Sequence, residues 1–386
     1  MKRRTWILLI SSFASNMAAG IYWPFIGLQL YDLQASYFQI ALLDSLAAIM
    51  FILSRIWGAT SDYYGLRKPF IIFGSIISAI PIFFCGFVSS TIQLILLFMI
   101  SSFFSSISFS PFLAALTTVE KKGMMIGWYS MLSTIGWAIG TFSMGFIDKI
   151  YKALGVYTIA AVLIVISALV IILYPKEPRL TRTENLRNYL KTAFSFKFKA
   201  PKEFSWLLLA IFLSWLGFQW VGLLIRMRFY DLLERSKVIL GIVWGIGASI
   251  SGVIVSPLAG KIADKVGGGK MLPITAVTYA LYTPIFALVS DPTLYSILWI
   301  APIWTINWVA VLATPAQMTT ESVRGEAMGA INTALNFGVF IGVTGGLFAD
   351  RFTRELGIIV SPVFFAASFI ALLPVIKFFK KDFTLS

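Results

Sequence analysis

Long apolar segments constrain this sequence more than any other feature. Twelve runs of mostly apolar residues follow one another along the chain, and each is close to the roughly 20 residues that cross a bilayer as a helix. Charged residues make up only 12% of the chain, about half the share found in soluble domains. Because lipid offers the backbone no hydrogen-bond partners, each run is predicted to be an α-helix. The runs cover residues 6–30, 38–59, 70–88, 92–115, 124–146, 156–173, 204–225, 238–258, 271–289, 294–313, 327–348 and 358–378.

A short charged turn occurs twice, each time after an apolar run. Each copy has a Gly, an Asp four residues later, a second Gly three residues beyond, and then basic residues. The first Gly and the Asp recur at a constant distance of 202 residues, which indicates two related halves. Duplicated membrane halves are typical of transporters. The two copies contain Gly58, Asp62, Gly65, Arg67 and Lys68, and then Gly260, Asp264, Lys265, Gly267 and Lys270.

The longest polar stretch divides six runs from six. We therefore predict an amino-terminal six-helix bundle at residues 1–173, a cytoplasmic linker at 174–203 and a carboxyl-terminal bundle at 204–386. Both halves run in the same direction, as parallel repeats related by a pseudo-twofold axis do. Apolar positions at helical spacing between Leu186 and Phe194 predict either a helix on the membrane surface or a solvated linker.

The distribution of basic residues predicts the orientation. Of the 31 Lys and Arg residues, 22 lie in the termini and in the loops on their side of the membrane, eight lie opposite, and Arg55 lies inside an apolar run. Basic residues collect on the cytoplasmic side, so we expect a multi-pass protein of the cell membrane with both termini cytoplasmic. We assign the net charge of +14 to anionic lipid headgroups rather than nucleic acid.

Several kinds of chemistry have no support in the sequence. The chain has no His, and its one Cys, Cys85, lies in an apolar run, so we predict no disulfide framework, no metal site and no cofactor. We find no phosphate-binding loop and no nucleophile elbow, and do not expect an enzyme. We expect a monomer.

The repeated turn resembles the signature loop of the major facilitator superfamily, and the resemblance covers essentially the whole chain. It implies two six-helix bundles, a solute site near the midplane, alternating access, and turns that hold the cytoplasmic side shut. The position after the Asp, usually basic in that family, is Tyr63 in the first copy and Lys265 in the second. The fifth run resembles the pattern of drug and proton antiporters, but has Thr141 where Pro is expected.

Asp44 is the only carboxylate well inside a predicted span, where a charged group costs at least about 2.5 kcal/mol. At 100° per residue, it shares one stripe of its helix with Arg55 and Asp62. Three roles are open for Asp44. It is a proton-coupling carboxylate, half of an outer latch with Arg226 or Arg228, or a hydrated carboxylate near the outer boundary.

Arg55 has two interpretations. Its side chain extends to the cytoplasmic surface, or it contacts an anion or the amides of Asn332 and Asn336. Glycines spaced four residues apart predict close helix crossings, and Gly58 and Gly260 are expected to allow close approach as well. The spaced pairs are Gly136 and Gly140, Gly241 and Gly245, and Gly338 and Gly342.

The resemblance implies that spans one, four, seven and ten line the central cavity. Aromatic rings with few hydrogen-bonding groups suit an amphipathic or aromatic solute. We predict proton-coupled export of amphipathic compounds, with uptake of a sugar or organic anion, or a transporter-like receptor, as alternatives. The candidate cavity residues are Asn16, Tyr22, Trp23, Ser105, Ser106, Ser108, Gln219, Trp220, Trp304, Asn307 and Trp308.

Overall fold

The computed structural model describes residues 3–117, 122–175, 185–187, 189–190, 200–320 and 323–382. Within these ranges it contains helices and no strand, which confirms the all-α prediction. Most of the predicted linker and of its surface helix lies outside the described residues. The α-helices are α1 (Arg3–Asp32), α2 (Tyr37–Tyr64), α3 (Arg67–Phe84), α4 (Thr91–Thr117), α5 (Lys122–Ile172), α6 (Glu203–Leu232), α7 (Lys237–Gly241), α8 (Ser249–Val266), α9 (Gly268–Tyr282), α10 (Ile285–Leu288), α11 (Pro292–Ile300), α12 (Ile303–Met318), α13 (Arg324–Ile341), α14 (Thr344–Arg351), α15 (Arg354–Val360) and α16 (Pro362–Asp382).

Eleven helical segments of the described chain are long and apolar enough to cross a membrane. One of them, Trp128–Ile172, has 45 residues and is about 68 Å long at the α-helical rise, roughly twice the hydrocarbon thickness. Lys152 interrupts it with a φ of 58°. The predicted runs 124–146 and 156–173 fall almost entirely within α5, and the count of twelve spans stays a prediction.

The described chain forms two compact units. Unit 1 consists of the described residues of Met1–Ala35, Ile49–Ser195 and Ser236–Ser249. In it α1 packs along α5, α3 packs against α4 and α5, and α7 packs on α5. One apolar core of this unit contains Ile7, Leu8, Leu9, Ile71, Ala115, Leu116, Ile171 and Tyr174.

Unit 2 consists of the described residues of Ser36–Ala48, Phe196–Arg235 and Ile250–Ser386. Here α6 packs against α13 and α16, and α9 packs against α12 and α16. Buried side chains between these helices include Leu207, Ile211, Val311 and Val375. The first turns of α2 belong to this unit, whereas its remainder belongs to unit 1. The predicted domain boundaries stay a prediction.

The paired glycines lie where helices touch. A Cβ atom at any of the six would come within 3 Å of a neighbouring helix, so only glycine fits without a shift of the main chain. Gly136 and Gly140 face α1, and Gly241 and Gly245 face α5. Gly338 and Gly342 face α6. This confirms the predicted close crossings.

Candidate functional site

Asp44 lies in a small polar cluster of unit 2. Its Oδ2 accepts a hydrogen bond of 3.1 Å from Nε2 of Gln219. The same oxygen is 3.7 Å from Nη2 of Arg226. Asp44 and Arg226 are largely buried, with side chains 19% and 14% exposed. The structure therefore brings together three residues that the sequence singled out, and a charge of each sign balances the cluster.

Helix geometry explains why Arg226 rather than Arg228 contacts Asp44. Side chains two positions apart on an α-helix point in directions about 200° apart. Only one of these two arginines therefore faces α2. Arg228 instead donates through Nη1 to Oε1 of Glu355 at 2.7 Å and through Nη2 to the carbonyl oxygen of Val289. Of the two arginines proposed as partners of Asp44, the structure selects Arg226.

Gly342 helps to position the amide of this cluster. A Cβ atom at Gly342 would lie 2.7 Å from Cγ of Gln219, so the absence of a side chain there leaves room for Gln219. The predicted glycine pair of α13 and the predicted amide of α6 thus belong to one packing contact.

A cavity of about 230 Å³ lies within unit 1. Eight serines from α1, α3, α4 and α5 line it, together with aromatic side chains. Nδ2 of Asn16 donates to the carbonyl oxygen of Ser12 at 2.9 Å and to Oγ of Ser133 at 3.2 Å. The predicted cavity residues found in the lining are Asn16, Tyr22, Trp23, Ser105 and Ser108.

Two of the candidate positions pack inside their bundles instead. Ser106 is fully buried, and its hydroxyl donates to the carbonyl oxygen of Phe103. Trp220 is 8% exposed, and its Nε1 donates to the carbonyl oxygen of Gly357 at 2.9 Å. Both lie on helix faces that point into the packing of their own unit, and their place in the central cavity stays a prediction.

Tryptophans of α12 form an aromatic surface in unit 2. The rings of Trp304 and Trp308 are nearly parallel, with 9° between their planes and 6.3 Å between centroids. They are 49% and 39% exposed, so planar groups can stack on them. Asn307, between them in sequence, is buried and accepts a hydrogen bond from Thr275 at 2.9 Å.

The first signature turn is held by its own basic residues. Arg67 contacts Oδ1 of Asp62 through Nε at 2.9 Å and through Nη2 at 2.8 Å. Lys68 donates through Nζ to the carbonyl oxygens of Ile172 and Tyr174. The ammonium thus satisfies carbonyl groups at the end of α5, where a cation is also favoured by the helix dipole.

The second signature turn has a different arrangement. Asp264 and Lys265 are exposed, and the role predicted for Asp264 stays a prediction. Here Oε1 of Gln317, at the end of α12, accepts from the backbone N–H of Gly268 at 2.9 Å. Gln317 is not evident from the sequence, because the residue 202 positions earlier is Ala115 and the repeat gives no signal for it.

The glycines of the two signature turns differ in whether, and why, a side chain would be unfavourable there. Gly65 and Gly267 have φ of 63° and 87°, which disfavour any side chain. A Cβ atom at Gly58 would lie 2.8 Å from Cβ of Ser110, whereas at Gly260 no atom of the described residues lies within 4 Å. Close approach is therefore confirmed at Gly58 and wrong at Gly260.

Gly267→Ala should lower the stability of the folded protein by about 1–2 kcal/mol, because alanine resists a positive φ. Gly260→Ala is the matched control in the same turn, and we expect it to be neutral or stabilising because it lies in a helix with open space around it. Thermal unfolding in detergent measures both. Equal melting temperatures for the two variants would contradict this account of the turn.

Lys237 forms an ion cluster in unit 1 that the sequence analysis missed. Its Nζ lies 2.8 Å from Oδ2 of Asp32 and 3.3 Å from Oδ2 of Asp148. The ammonium also lies 5.1 Å from the centre of the Phe25 ring, within the range of a cation–π contact. These residues join the end of α1 and the middle of α5, four residues before Lys152, to the start of α7.

Asp350 holds the start of α2 in unit 2. Its two carboxylate oxygens accept from the backbone N–H groups of Tyr37 at 2.7 Å and Phe38 at 2.9 Å, as expected of an anion at a helix N-terminus. Asp350 follows Asp148 by 202 residues. Asp148 contacts Lys237 at the start of α7, and Asp350 binds the start of α2. Each carboxylate therefore binds the beginning of another helix, and the repeat distance could have identified the pair.

The remaining candidates lie in α2 and α13. Arg55 is partly buried in the part of α2 that belongs to unit 1. Asn336 donates to the carbonyl oxygen of Asn332, one turn earlier on α13. The pairing of Arg55 with these amides stays a prediction. The described residues contain no group of three or more His, Cys, Asp or Glu side chains that could hold a metal ion.

The helical architecture and the paired turns are shared with a known family, whose model, described as Major Facilitator Superfamily, matches residues 8–343. The chain belongs to this family. It is therefore a multi-pass membrane protein with a transporter fold, as the resemblance of the turns implied. The drug-efflux branch, the orientation and the type of membrane stay predictions.

Other superfamily members are similar over different lengths. An uncharacterized MFS-type transporter of Methanocaldococcus jannaschii is 23% identical over 366 residues, which cover 91% of this chain and 92% of the relative. Multidrug resistance protein 2 of Bacillus subtilis is 30% identical over 166 residues, or 42% of this chain and 39% of that protein. The relative that covers most of this chain is described as a transporter, in line with the expectation that the chain is not an enzyme.

Solved structures of other transporters share the fold. A mutant of the nucleoside transporter NupG superposes with a TM-score of 0.81 at 16% identity, covering 97% of this chain and 100% of that one. A POT family transporter in complex with 5-aminolevulinic acid gives a TM-score of 0.76 at 11% identity, covering 99% and 97%. At these identities the likeness concerns the fold alone.

Proposed function

We propose that this chain is a secondary active transporter that moves a small organic solute by alternating access and couples that movement to protons. The observation that carries the proposal is the position of Asp44. An ionisable carboxylate in an apolar helix is costly, and this one contacts a cation and an amide on α6. Such a group can change its charge and its contacts together.

The coupling step follows from the charges in the cluster. While Asp44 is ionised, its carboxylate attracts the Arg226 guanidinium and accepts from Gln219, which holds the first turns of α2 against α6. A proton that adds to Asp44 removes the negative charge and leaves Arg226 without that counter-ion. The contact between Asp44 and Arg226 weakens, and the start of α2 can move away from α6. Loss of the proton restores this contact.

Export is the first candidate for direction. It is supported by the similarity to a multidrug resistance protein over 166 residues. In export, protons that enter down their gradient protonate Asp44, and their entry drives the outward movement of the solute.

Uptake is the second candidate. The serine-rich wall of the unit 1 cavity favours it, because hydroxyl groups suit a sugar, the solute of the uptake alternative. In uptake, solute and proton move inward together, and the same Asp44 cluster performs the charge change.

Transport into proteoliposomes tests the coupling and the direction. We expect solute to accumulate only when a pH gradient is imposed, and to stop when a protonophore removes the gradient. Accumulation in vesicles with an acidic interior indicates exchange of solute for protons, whereas accumulation in vesicles with an acidic exterior indicates co-transport. Flux that is equal with and without a gradient would contradict coupling.

A further inference from the structure

We infer that the serine-lined cavity of unit 1 binds the transported solute, and that this solute is an uncharged ring compound with several hydroxyl groups. Monosaccharides and nucleosides share this chemistry. The inference rests on the proposed transport function, and it adds the substrate class and the side chains that recognise the substrate. The chemistry of the cavity wall carries it.

Charge is the first criterion. No Asp, Glu, Lys or Arg is among the described residues that line the cavity. A charged solute would lose its hydration there without gaining a counter-ion, which is strongly unfavourable. An uncharged solute has no such cost, so the wall favours solutes without net charge.

The hydrogen-bonding pattern of the serines is the second criterion. Ser15, Ser78 and Ser108 each donate their hydroxyl hydrogen to the carbonyl oxygen three residues earlier. Their oxygens keep lone pairs that can accept. A wall rich in acceptors matches a solute with several O–H or N–H donors.

Three more serines add both kinds of group. Ser75, Ser102 and Ser105 line the cavity, and within the described chain their hydroxyls have no hydrogen-bond partner. Each can donate one hydrogen bond and accept others. A solute hydroxyl has the same dual character, so these positions can exchange hydrogen bonds with it in either direction.

Aromatic rings provide the apolar part of the wall. Tyr22, Trp23, Phe109 and Tyr129 lie in the same lining as the serines. A flat apolar face of a sugar or a base packs on such rings, while hydroxyl groups at the ring edge reach the serines. The volume of about 230 Å³ is below the roughly 300–1,000 Å³ typical of sites for drug-sized ligands, so the solute is small.

A purely apolar solute fits this wall less well. It would cover the three unpaired serine hydroxyls without replacing their hydrogen bonds to water, and buried polar groups without partners are costly. The cavity therefore selects against two of the solute classes that the superfamily fold could accommodate, the organic ions and the fully apolar compounds.

Direct binding to the purified full-length protein in lipid nanodiscs tests the inference. The probes are glucose, xylose, uridine, adenosine, tetraphenylphosphonium and benzoate, and titration calorimetry measures affinity without a gradient. We expect at least one sugar or nucleoside to bind and neither ion to bind. Binding of glucose or xylose would identify the solute as a sugar, and binding of uridine or adenosine would identify it as a nucleoside.

Serine substitutions locate the bound solute. Ser102→Ala with Ser105→Ala removes two hydroxyls from the wall, and we expect affinity to fall about tenfold, from two neutral hydrogen bonds. Ser106→Ala is the matched control, because Ser106 lies on the same helix but is buried and bonded to Phe103. If the double variant does not fold, Ser105→Ala alone is compared with Ser106→Ala, and we expect a smaller loss of affinity.

Several outcomes would overturn the inference. These are binding of the ions in preference to the uncharged probes, binding of none of the six, and an affinity that the Ser102 and Ser105 substitutions leave unchanged. Failure of proton coupling is a separate result. Uncharged solute that binds through these serines but does not follow a pH gradient would contradict the proposed coupling and leave the binding site standing.

Discussion

Asp44→Asn should abolish gradient-driven accumulation of solute while it leaves exchange of internal for external solute intact. Asparagine keeps the shape of the side chain and can still bond to Gln219, but it cannot gain or lose a proton. Coupled movement requires that change, whereas exchange uses only the solute-loaded conformations. Both are measured in the same proteoliposomes, with accumulation expected to fall to the level of vesicles without protein.

Asp291→Asn is the matched control for this substitution. Asp291 is an exposed cap of α11, whose Oδ1 accepts from the backbone N–H of Leu294 at 2.7 Å. Asparagine caps helices about as well as aspartate, so the same chemical change there should leave gradient-driven transport at the wild-type level. Loss of transport in both variants would point to a general effect of removing a carboxylate.

A double variant separates coupling from a purely structural ion pair. In Asp44→Asn alone, Arg226 loses the carboxylate that lies 3.7 Å from its Nη2, and part of any defect reflects the cost of that lost charge. Combining it with Arg226→Gln removes both charges, so the structural cost should largely disappear. If Asp44 carries the proton, the double variant exchanges solute but does not accumulate it. Restored accumulation would show that Asp44 serves only as the partner of Arg226.

Much of the architecture was predictable because it follows from local properties. Apolar runs of bilayer length give helices, and the recurrence of Gly58 and Asp62 after 202 residues gives the duplication. Asp44 stood out because a carboxylate in an apolar run is costly. The choice between Arg226 and Arg228 depends on how α6 is rotated against α2, which no local pattern determines.

The serine-lined cavity shows a different limit of sequence reasoning. Serines are common in membrane helices and pack there without any functional role. Ser105 lines the cavity while the next residue, Ser106, is buried against its own helix, and only the rotation of α4 distinguishes the two. Trp220 illustrates the same limit in unit 2, since its ring is packed and its N–H donates to the carbonyl oxygen of Gly357.

The ion contacts at Lys237 and Asp350 were missed because their partners are far apart in sequence. Lys237 meets Asp32 and Asp148 from another part of the chain, and an Asp near the end of an apolar run looks like an ordinary boundary residue. The repeat did contain a signal, since Asp148 and Asp350 are 202 residues apart. A search for charged residues that recur at this distance, beyond the signature turns, would have found them.

Gly140→Ala should destabilise unit 1 strongly. A Cβ atom at this position would overlap the carbonyl oxygen of Met17 and lie 3.0 Å from Cα of Gly20, so α1 and α5 would have to move apart. Overpacking of this kind costs about 1–3 kcal/mol. Main-chain atoms cannot rotate away as a side chain can, so we expect the cost at this site to lie at the upper end of that range. Thermal unfolding in detergent should show a clearly lower melting temperature.

Gly222→Ala provides the contrast, because Gly222 lies in α6 with no atom of the described residues within 4 Å of its would-be Cβ. Alanine there should leave stability unchanged or raise it by about 0.5–1 kcal/mol, as helix propensity favours alanine. The serine-lined cavity lies between α1 and α5 among other helices, so Gly140→Ala should also weaken solute binding, and Gly222→Ala should not. Equal melting temperatures and equal affinities in the two variants would show that the α1 and α5 crossing tolerates a wider spacing than the glycines suggest.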